Sequence, residues 1–119
     1  MSESDELYTS VNYIKHKVEA IEKIELLNLR SNEKLLEMYV NALESDERLL
    51  KVYREIDGKK SQKEIADKLA TTEMTISNKI RELCNSGLIE KMDVRGKQRI
   101  YKHSIAEEAF KLINRLKGI

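Results

Sequence analysis

The chain has no proline and no tryptophan, and it has one cysteine, Cys84, among its 119 residues. A single cysteine excludes an internal disulfide, and with only His16 and His103 beside it no cluster has the spacing of a zinc site. The four glycines lie far apart, so neither a phosphate-binding P-loop nor a dinucleotide fingerprint can form. We therefore expect no metal and no cofactor.

No apolar run approaches the length of about 18 residues that a membrane span requires. The acidic N-terminus also lacks the basic start and apolar stretch of a secretory signal. These absences predict a cytoplasmic protein that does not enter a membrane. Carboxylates such as Glu107 and Glu108 are consecutive, hence on different faces of a helix, and they form no acid/base pair. We do not expect an enzyme.

Charged residues make up 36% of the chain and aromatic residues 5%, which is typical of long amphipathic helices with solvated charged faces. The length suits one folding unit with an accessory dimerisation element. Acidic residues outnumber basic ones in residues 1–45, whereas basic residues outnumber acidic ones in 46–119. This asymmetry suggests contact between the C-terminal part and a polyanion, but ordinary surface variation explains it equally well.

Both ends of the chain carry an apolar stripe. Near the N-terminus, apolar residues at alternating spacings of four and three predict a long helix with a short heptad seam, formed by Leu7, Val11, Ile14, Val18 and Ile21. A second helix follows Ser31 or Asn32, either of which can cap it. We expect residues 1–45 to form a helical dimerisation region.

The C-terminal segment, residues 105–119, is predicted to be a single helix. Ser104 and Glu107 have the spacing of a capping box at its start. Its apolar stripe includes Leu112 and Leu116, which we assign to dimerisation with the N-terminal seam. Packing of one terminal helix on the other within a single chain is the alternative.

Residues 46–104 contain sequence patterns that predict three helices followed by two strands. Asp46 can cap a helix that stops at Gly58, and Ser61 and Glu64 form a capping box for a short helix. After a tight turn, Thr72 caps a longer helix that ends at Gly87. Residues 88–93 and 98–102 then predict two strands joined by a tip that contains glycine. This order predicts a winged helix-turn-helix, and the whole chain is expected to be mainly α with one small β-hairpin.

In this fold the second helix of the pair can enter the major groove of DNA, because one face packs on the domain and the other is free. We expect it to bind DNA through a set of mostly hydrogen-bonding side chains: Thr72, Met74, Thr75, Ser77, Asn78, Lys79 and Arg81. Basic side chains of the hairpin, or wing, are expected to contact the backbone or minor groove: Arg95, Lys97 and Arg99. Gln62 and Lys63 are expected to contact phosphates.

Residues 61–104 resemble the winged-helix segment of the MarR-type and ArsR-type repressors. The matching pieces are Ser61 to Ala66, the triplet Thr75-Ile76-Ser77, Leu83 to Ile89, and a wing that closes on Tyr101. The resemblance implies a homodimer that binds double-stranded DNA at a pseudo-palindromic operator and represses transcription. It does not extend to the metal sites of the ArsR-type proteins, because the cysteine and histidine clusters are missing. It names no small-molecule effector.

Two other functions stay open at this point. The winged helix is also used to bind proteins, and a protein-binding version would carry an apolar patch on the outer face of residues 72–86. A nucleic-acid-binding subunit of a replication, plasmid-maintenance or viral assembly would make the same contacts as a regulator.

Overall fold

A computed structural model describes residues 3–96 and 98–118, and it describes the side chains of 15–92, 94 and 98–118. The elements follow one another as α1 (Glu3–Arg30), α2 (Glu33–Ser45), α3 (Glu47–Glu55), α4 (Gln62–Lys68), α5 (Glu73–Ser86), β1 (Ile89–Arg95), β2 (Gln98–His103), α6 (Ile105–Phe110) and α7 (Leu112–Arg115). The predicted fold class is confirmed, since the described chain is mainly helical with one antiparallel hairpin. No helix in the described part of the chain is both long and apolar enough to cross a membrane.

The helix starts follow the predicted caps. The Asn32 side chain accepts a hydrogen bond from the backbone amide of Leu35, and the Asp46 side chain accepts one from Leu49. At α4 the capping box is complete, because the Ser61 hydroxyl accepts from the Glu64 amide while the Glu64 carboxylate reaches back to Ser61. Each cap satisfies amide groups that have no partner inside the helix.

The hairpin pairs Ile89 with His103 at its base and Arg95 with Gln98 at its tip. A bulge between Lys91 and Asp93 shifts the register of β1. Gly87, which ends α5, has φ 84°, a left-handed conformation that glycine adopts without steric cost. This ending turns the chain directly from α5 into β1.

One core joins the helices to the hairpin. Its fully buried side chains include Leu43, Val52, Tyr53, Ile76 and Leu83, from α2, α3 and α5. The strands contribute buried apolar residues to the same cluster, and the rings of Tyr39 and Phe110 of α6 form a T-shaped pair. The core therefore fixes α5 relative to α2, α3 and the hairpin.

The C-terminal segment differs from its prediction. Instead of one helix over residues 105–119, α6 ends at Phe110, and Lys111 adopts a left-handed conformation with φ 52° before α7 begins. The predicted capping box at Ser104 is also wrong: Ser104 accepts from the Ala106 amide, while the Glu107 carboxylate bonds to Tyr53 and to the Ile113 amide. Glu107 therefore bonds to Tyr53 of α3 and to the Ile113 amide instead of capping the start of α6.

The assignment of Leu112 and Leu116 to dimerisation is corrected by the same segment. Their side chains are 0% and 1% exposed and belong to the core of the chain itself. Such burial leaves no surface for contact with a partner. The break at Lys111 turns these two leucines inward, and α1 packs against α6 within the chain.

Candidate nucleic-acid interface

The two helices α4 and α5 form the helix-turn-helix pair. Ile65 and Ala66 of α4 and Ile76 and Ile80 of α5 are buried in the shared core. The turn between the helices ends at Thr72, whose hydroxyl accepts from the Thr75 amide and also lies 2.9 Å from the Thr75 hydroxyl. The buried stripe fixes the roll of α5 about its axis, and its opposite side faces outward.

The outward face of α5 is polar with one apolar member. Its exposed side chains are those of Met74, Asn78, Arg81, Glu82 and Asn85, while Thr75, Ser77 and Lys79 are half-buried on its flanks. Met74, near the start of the helix, is 75% exposed. A rotation of 100° per residue around the helix axis gives the same division between the outward face and its flanks.

An open cleft of about 330 Å³ runs between α4, α5 and the wing. It is lined by Gln62, Lys63, Glu73, Ser77, Gln98 and Arg99. Three groups of residues that the sequence analysis assigned separately therefore meet here: the predicted phosphate contacts at the start of α4, one flank of α5, and Arg99 of the wing. A sugar-phosphate backbone running along this cleft could reach two basic side chains and several amide or hydroxyl groups.

The position of the wing is fixed by backbone hydrogen bonds. The amide of Gly58 donates to the Tyr101 carbonyl at 3.0 Å, and an isolated bridge pairs Ser61 with Ile100. Both contacts connect β2 to the loop before α4. Of the predicted wing contacts, Arg99 is exposed beside the cleft, whereas Lys97 and the side chain of Arg95 lie outside the described part of the structure.

Lys79 does not face the cleft. Its ammonium group lies 2.7 Å from Oδ2 of Asp46, at the start of α3, and 3.7 Å from Oε1 of Glu82. The hydrogen bond to Asp46 raises the pKa of Lys79 above its ordinary value. Lys79 was predicted to bind DNA, and the structure instead places its charge against a neighbouring helix.

Comparison with protein families agrees with this geometry. Residues 43–90, from the end of α2 to the start of β1, match the family model described as winged helix-turn-helix DNA-binding. Over this segment the chain is similar to that DNA-binding family, and its fold is a winged helix-turn-helix. The match includes the helix pair, and the hairpin that follows supplies the wing.

The whole chain is also similar to a solved structure, the crystal structure of a MepR mutant from a multidrug-resistant S. aureus clinical isolate. The two share 17% sequence identity with a TM-score of 0.45, over 100% of this chain and 76% of that chain. No curated protein sequence matches the chain.

Gln98 is a functional candidate that sequence reasoning missed, since it lines the cleft beside Arg99. Glu73, which the sequence places near the expected groove, brings negative charge to the same cleft. Tyr39 of α2 donates a hydrogen bond to the Ser86 carbonyl at the end of α5. The strand prediction placed Gln98 next to the wing tip, so its position beside the cleft could have been predicted. The hydrogen bond between Tyr39 and Ser86 spans 47 positions, and no local sequence pattern predicts it.

The predicted dimer seam is only partly described. The side chains of Leu7, Val11 and Ile14 lie outside the described residues. Val18 and Ile21 are exposed, and so are Ile24 and Leu27, at a regular spacing of three residues along α1. Four large apolar side chains on one helix are therefore left facing water.

Cys84 does not have the surroundings of a reactive thiol. Its side chain packs partly against the core, and burial raises its thiol pKa above the ordinary value. A reactive cysteine needs a lowered pKa. Among the described residues, no group of three or more histidine, cysteine, aspartate or glutamate side chains could hold a metal ion.

Proposed function

We propose that the chain is a transcriptional regulator that binds a specific double-stranded DNA sequence as a homodimer. The observation that carries this proposal is the continuity of the polar outward face of α5 with the cleft that contains Lys63 and Arg99. An α-helix with a free polar face fits the major groove, and basic groups beside it can contact the flanking phosphates.

In this proposal Asn78 and Arg81 read base edges, since amide and guanidinium groups pair well with adenine and guanine in the major groove. Met74 and Thr75, at the start of α5, contact a thymine methyl group. Gln62, Lys63, Ser77 and Thr72 position the protein through phosphates. The wing, through Arg95, Lys97 and Arg99, adds salt-dependent affinity.

The homodimer is supported by the exposed apolar residues of α1, of which neighbours such as Val18 and Ile21 lie about 60° apart around the helix, because exposed apolar side chains close to one another mark an interaction site. Two copies joined through α1 would present two recognition helices to DNA. The resemblance of residues 61–104 to the MarR-type and ArsR-type repressors supports repression as the regulatory outcome.

A protein-interaction module is the competing function. It would need an apolar surface on the outward face of α5, and within that helix, which is described throughout, Met74 is the one apolar side chain that faces outward. The polar character of the remaining face favours DNA.

The test is selection of bound sequences from a pool of random duplexes, followed by measurement of affinity for the winning sequence at several salt concentrations. We expect a two-fold-symmetric site with half-sites about one helical turn apart, about 10 base pairs. The affinity should fall steeply with salt because phosphate contacts release counterions. No enrichment together with salt-independent behaviour would overturn the proposal and favour the protein-interaction module.

A further inference from the structure

One carboxylate performs two tasks at the junction of α3 and α5. Oδ1 of Asp46 accepts a hydrogen bond from the Leu49 amide at 3.0 Å and so caps the start of α3. Oδ2 of the same group lies 2.7 Å from Nζ of Lys79, in the middle of α5. The carboxylate that caps α3 therefore also holds α5.

The position of Lys79 on α5 separates it from the cleft. Lys79 follows the buried Ile76 by three residues, which places it about 60° from that side chain around the helix axis. Ser77, which lines the cleft, lies about 100° from Ile76 in the other direction. The two residues occupy opposite flanks, so the Lys79 ammonium is directed toward α3 and away from Lys63 and Arg99.

Partial burial makes this ion pair more than a surface contact. The side chain of Lys79 is 20% exposed and that of Asp46 is 33% exposed, whereas the pair formed by Lys51 and Glu47 on α3 is 56% and 80% exposed. Burial, the largest single effect, would raise the pKa of Asp46, but the hydrogen bonds from Lys79 and the Leu49 amide together with the Lys79 charge outweigh it, and the pKa lies below its ordinary value. Both groups are charged at neutral pH.

We infer that Lys79 is a positioning residue for DNA recognition, which acts with Asp46 as a single unit that adds to the core packing in holding α5 against α3 and does not bind phosphate. This inference rests on the proposed DNA-binding function and corrects the expected role of Lys79 within it. The residues that touch DNA would then come from the outward face and the cleft flank of α5.

The test compares Lys79→Gln, Asp46→Asn and the double variant in the full chain, using the selected duplex and a random-sequence duplex. Asparagine is also a good N-cap, so Asp46→Asn removes the charge while it keeps the acceptor for Leu49. We expect each single variant to weaken specific binding about two- to fivefold, the range of a modest ion pair, and the double variant to weaken it no further. Binding to the random duplex should not change. The slope of log affinity against log salt should equal that of the wild type, because no phosphate contact is lost.

A phosphate-binding Lys79 predicts a different pattern. Lys79→Gln would then lower the slope by about 0.9 on both duplexes, and Asp46→Asn would tighten binding by removing a competing anion. Either result would overturn the inference. A purely structural pair would lower the melting temperature but leave the affinity of the folded protein for both duplexes unchanged, and that result would also overturn it.

Two measurements keep the inference separate from the proposed function. Glu47→Gln breaks the exposed pair on α3 and is the matched control, for which we expect wild-type binding. If the wild type binds no duplex, the proposed function has failed. Coupling between Asp46 and Lys79 in the melting temperatures of the same three variants would still show that the two residues act as one unit, and its absence would overturn that part of the inference as well.

Discussion

The hydroxyl group of Tyr53 in α3 donates a hydrogen bond to Oε2 of Glu107 in α6. Oε1 of the same carboxylate accepts from the backbone amide of Ile113 at 3.2 Å, just beyond the helix break at Lys111. Burial and the adjacent Glu107 raise the pKa of the Tyr53 hydroxyl well above its ordinary value, so the group stays a donor. Glu107 therefore links α3 to both C-terminal helices.

Replacing Tyr53 with phenylalanine should lower the free energy of unfolding by about 1.5–3 kcal/mol, because the lost hydrogen bond has a charged acceptor and the ring packing is kept. Urea denaturation measures this change. Tyr101→Phe is the control, since the only hydrogen bond that its hydroxyl accepts from a described side chain is a long one of 3.5 Å from Gln62. Equal losses in the two variants would contradict the special role of Glu107.

The break between α6 and α7 can be tested with glycine. Lys111 has φ 52°, a conformation that costs a residue with a side chain about 1–2 kcal/mol and costs glycine almost nothing. We expect Lys111→Gly to raise the free energy of unfolding by up to about 1 kcal/mol, although glycine usually destabilises a helical segment. Glu108→Gly, within α6, should lower it by about that amount. A loss of stability in both variants would mean that the helix continues through Lys111.

Asp57 predicts a pH dependence of stability. Its carboxylate accepts from the amides of Lys60 and Lys59 and pairs with the Lys60 ammonium, and these contacts lower its pKa from 3.8 to about 2. The stabilisation is complete above pH 3.8, the unfolded value, and is lost as the pH falls toward 2. Asp57→Asn keeps an acceptor but removes the charge.

We therefore expect Asp57→Asn to be less stable than the wild type at neutral pH and the difference to shrink between about pH 4 and pH 2. Urea denaturation at a series of pH values gives the comparison. Asp67→Asn, at an exposed position in α4, removes one carboxylate without touching this turn and serves as the reference. A difference that stayed constant with pH would sink the assignment to Asp57.

Arg81 should contribute to sequence specificity. Its side chain is exposed on the outward face of α5, where a guanidinium can pair with guanine. We expect Arg81→Ala to weaken binding to the selected duplex by about 1–3 kcal/mol and to relax the base preference at one position. Arg30→Ala, in the last turn of α1, should leave both unchanged. If Arg81→Ala kept the sequence specificity of the wild type, α5 would not be the recognition helix.

The proposed dimer can be tested on α1. Val18 is exposed within the chain, so Val18→Asp should not disturb folding but should place a charge in an apolar contact between copies. We expect sedimentation equilibrium to show a dimer for the wild type and a monomer, or a much weaker dimer, for the variant. His16 lies about 200° away around the helix, so His16→Asp is a matched control. A dimer of unchanged strength in Val18→Asp would exclude this face of α1.

Local signals predicted most of the fold. Helix ends are set by local contacts, such as the caps at Asp46, Ser61 and Thr72 and the left-handed glycine at Gly87. Each of these residues lies within a few positions of the backbone groups that it satisfies, so the sequence alone indicates the helix end. The polar outward face of α5 was predicted for the same reason, since helical periodicity alone decides which residues share a face.

The errors arose where a distant partner replaced a local one. Glu107 had a capping partner three residues before it, but a buried tyrosine from α3 and the Ile113 amide hold its carboxylate instead. Lys79 had the composition of a DNA contact, yet its charge is neutralised by a residue 33 positions away. The helix break at Lys111 was not predicted because the left-handed position holds a lysine and not the glycine that usually marks a helix end. Spacing along the chain carries no information about such contacts.

The anchoring of the recognition helix has a thermodynamic consequence for binding. α5 is capped at Thr72, held near its middle by Asp46 and bound at its end through the hydrogen bond from Tyr39 to Ser86. Its backbone is therefore already ordered before any ligand arrives, and the entropy lost on complex formation comes mainly from side chains such as Met74 and Arg81. Restricting the rotamers of those exposed side chains while keeping their contacts, rather than stabilising the helix, is therefore the route to tighter binding.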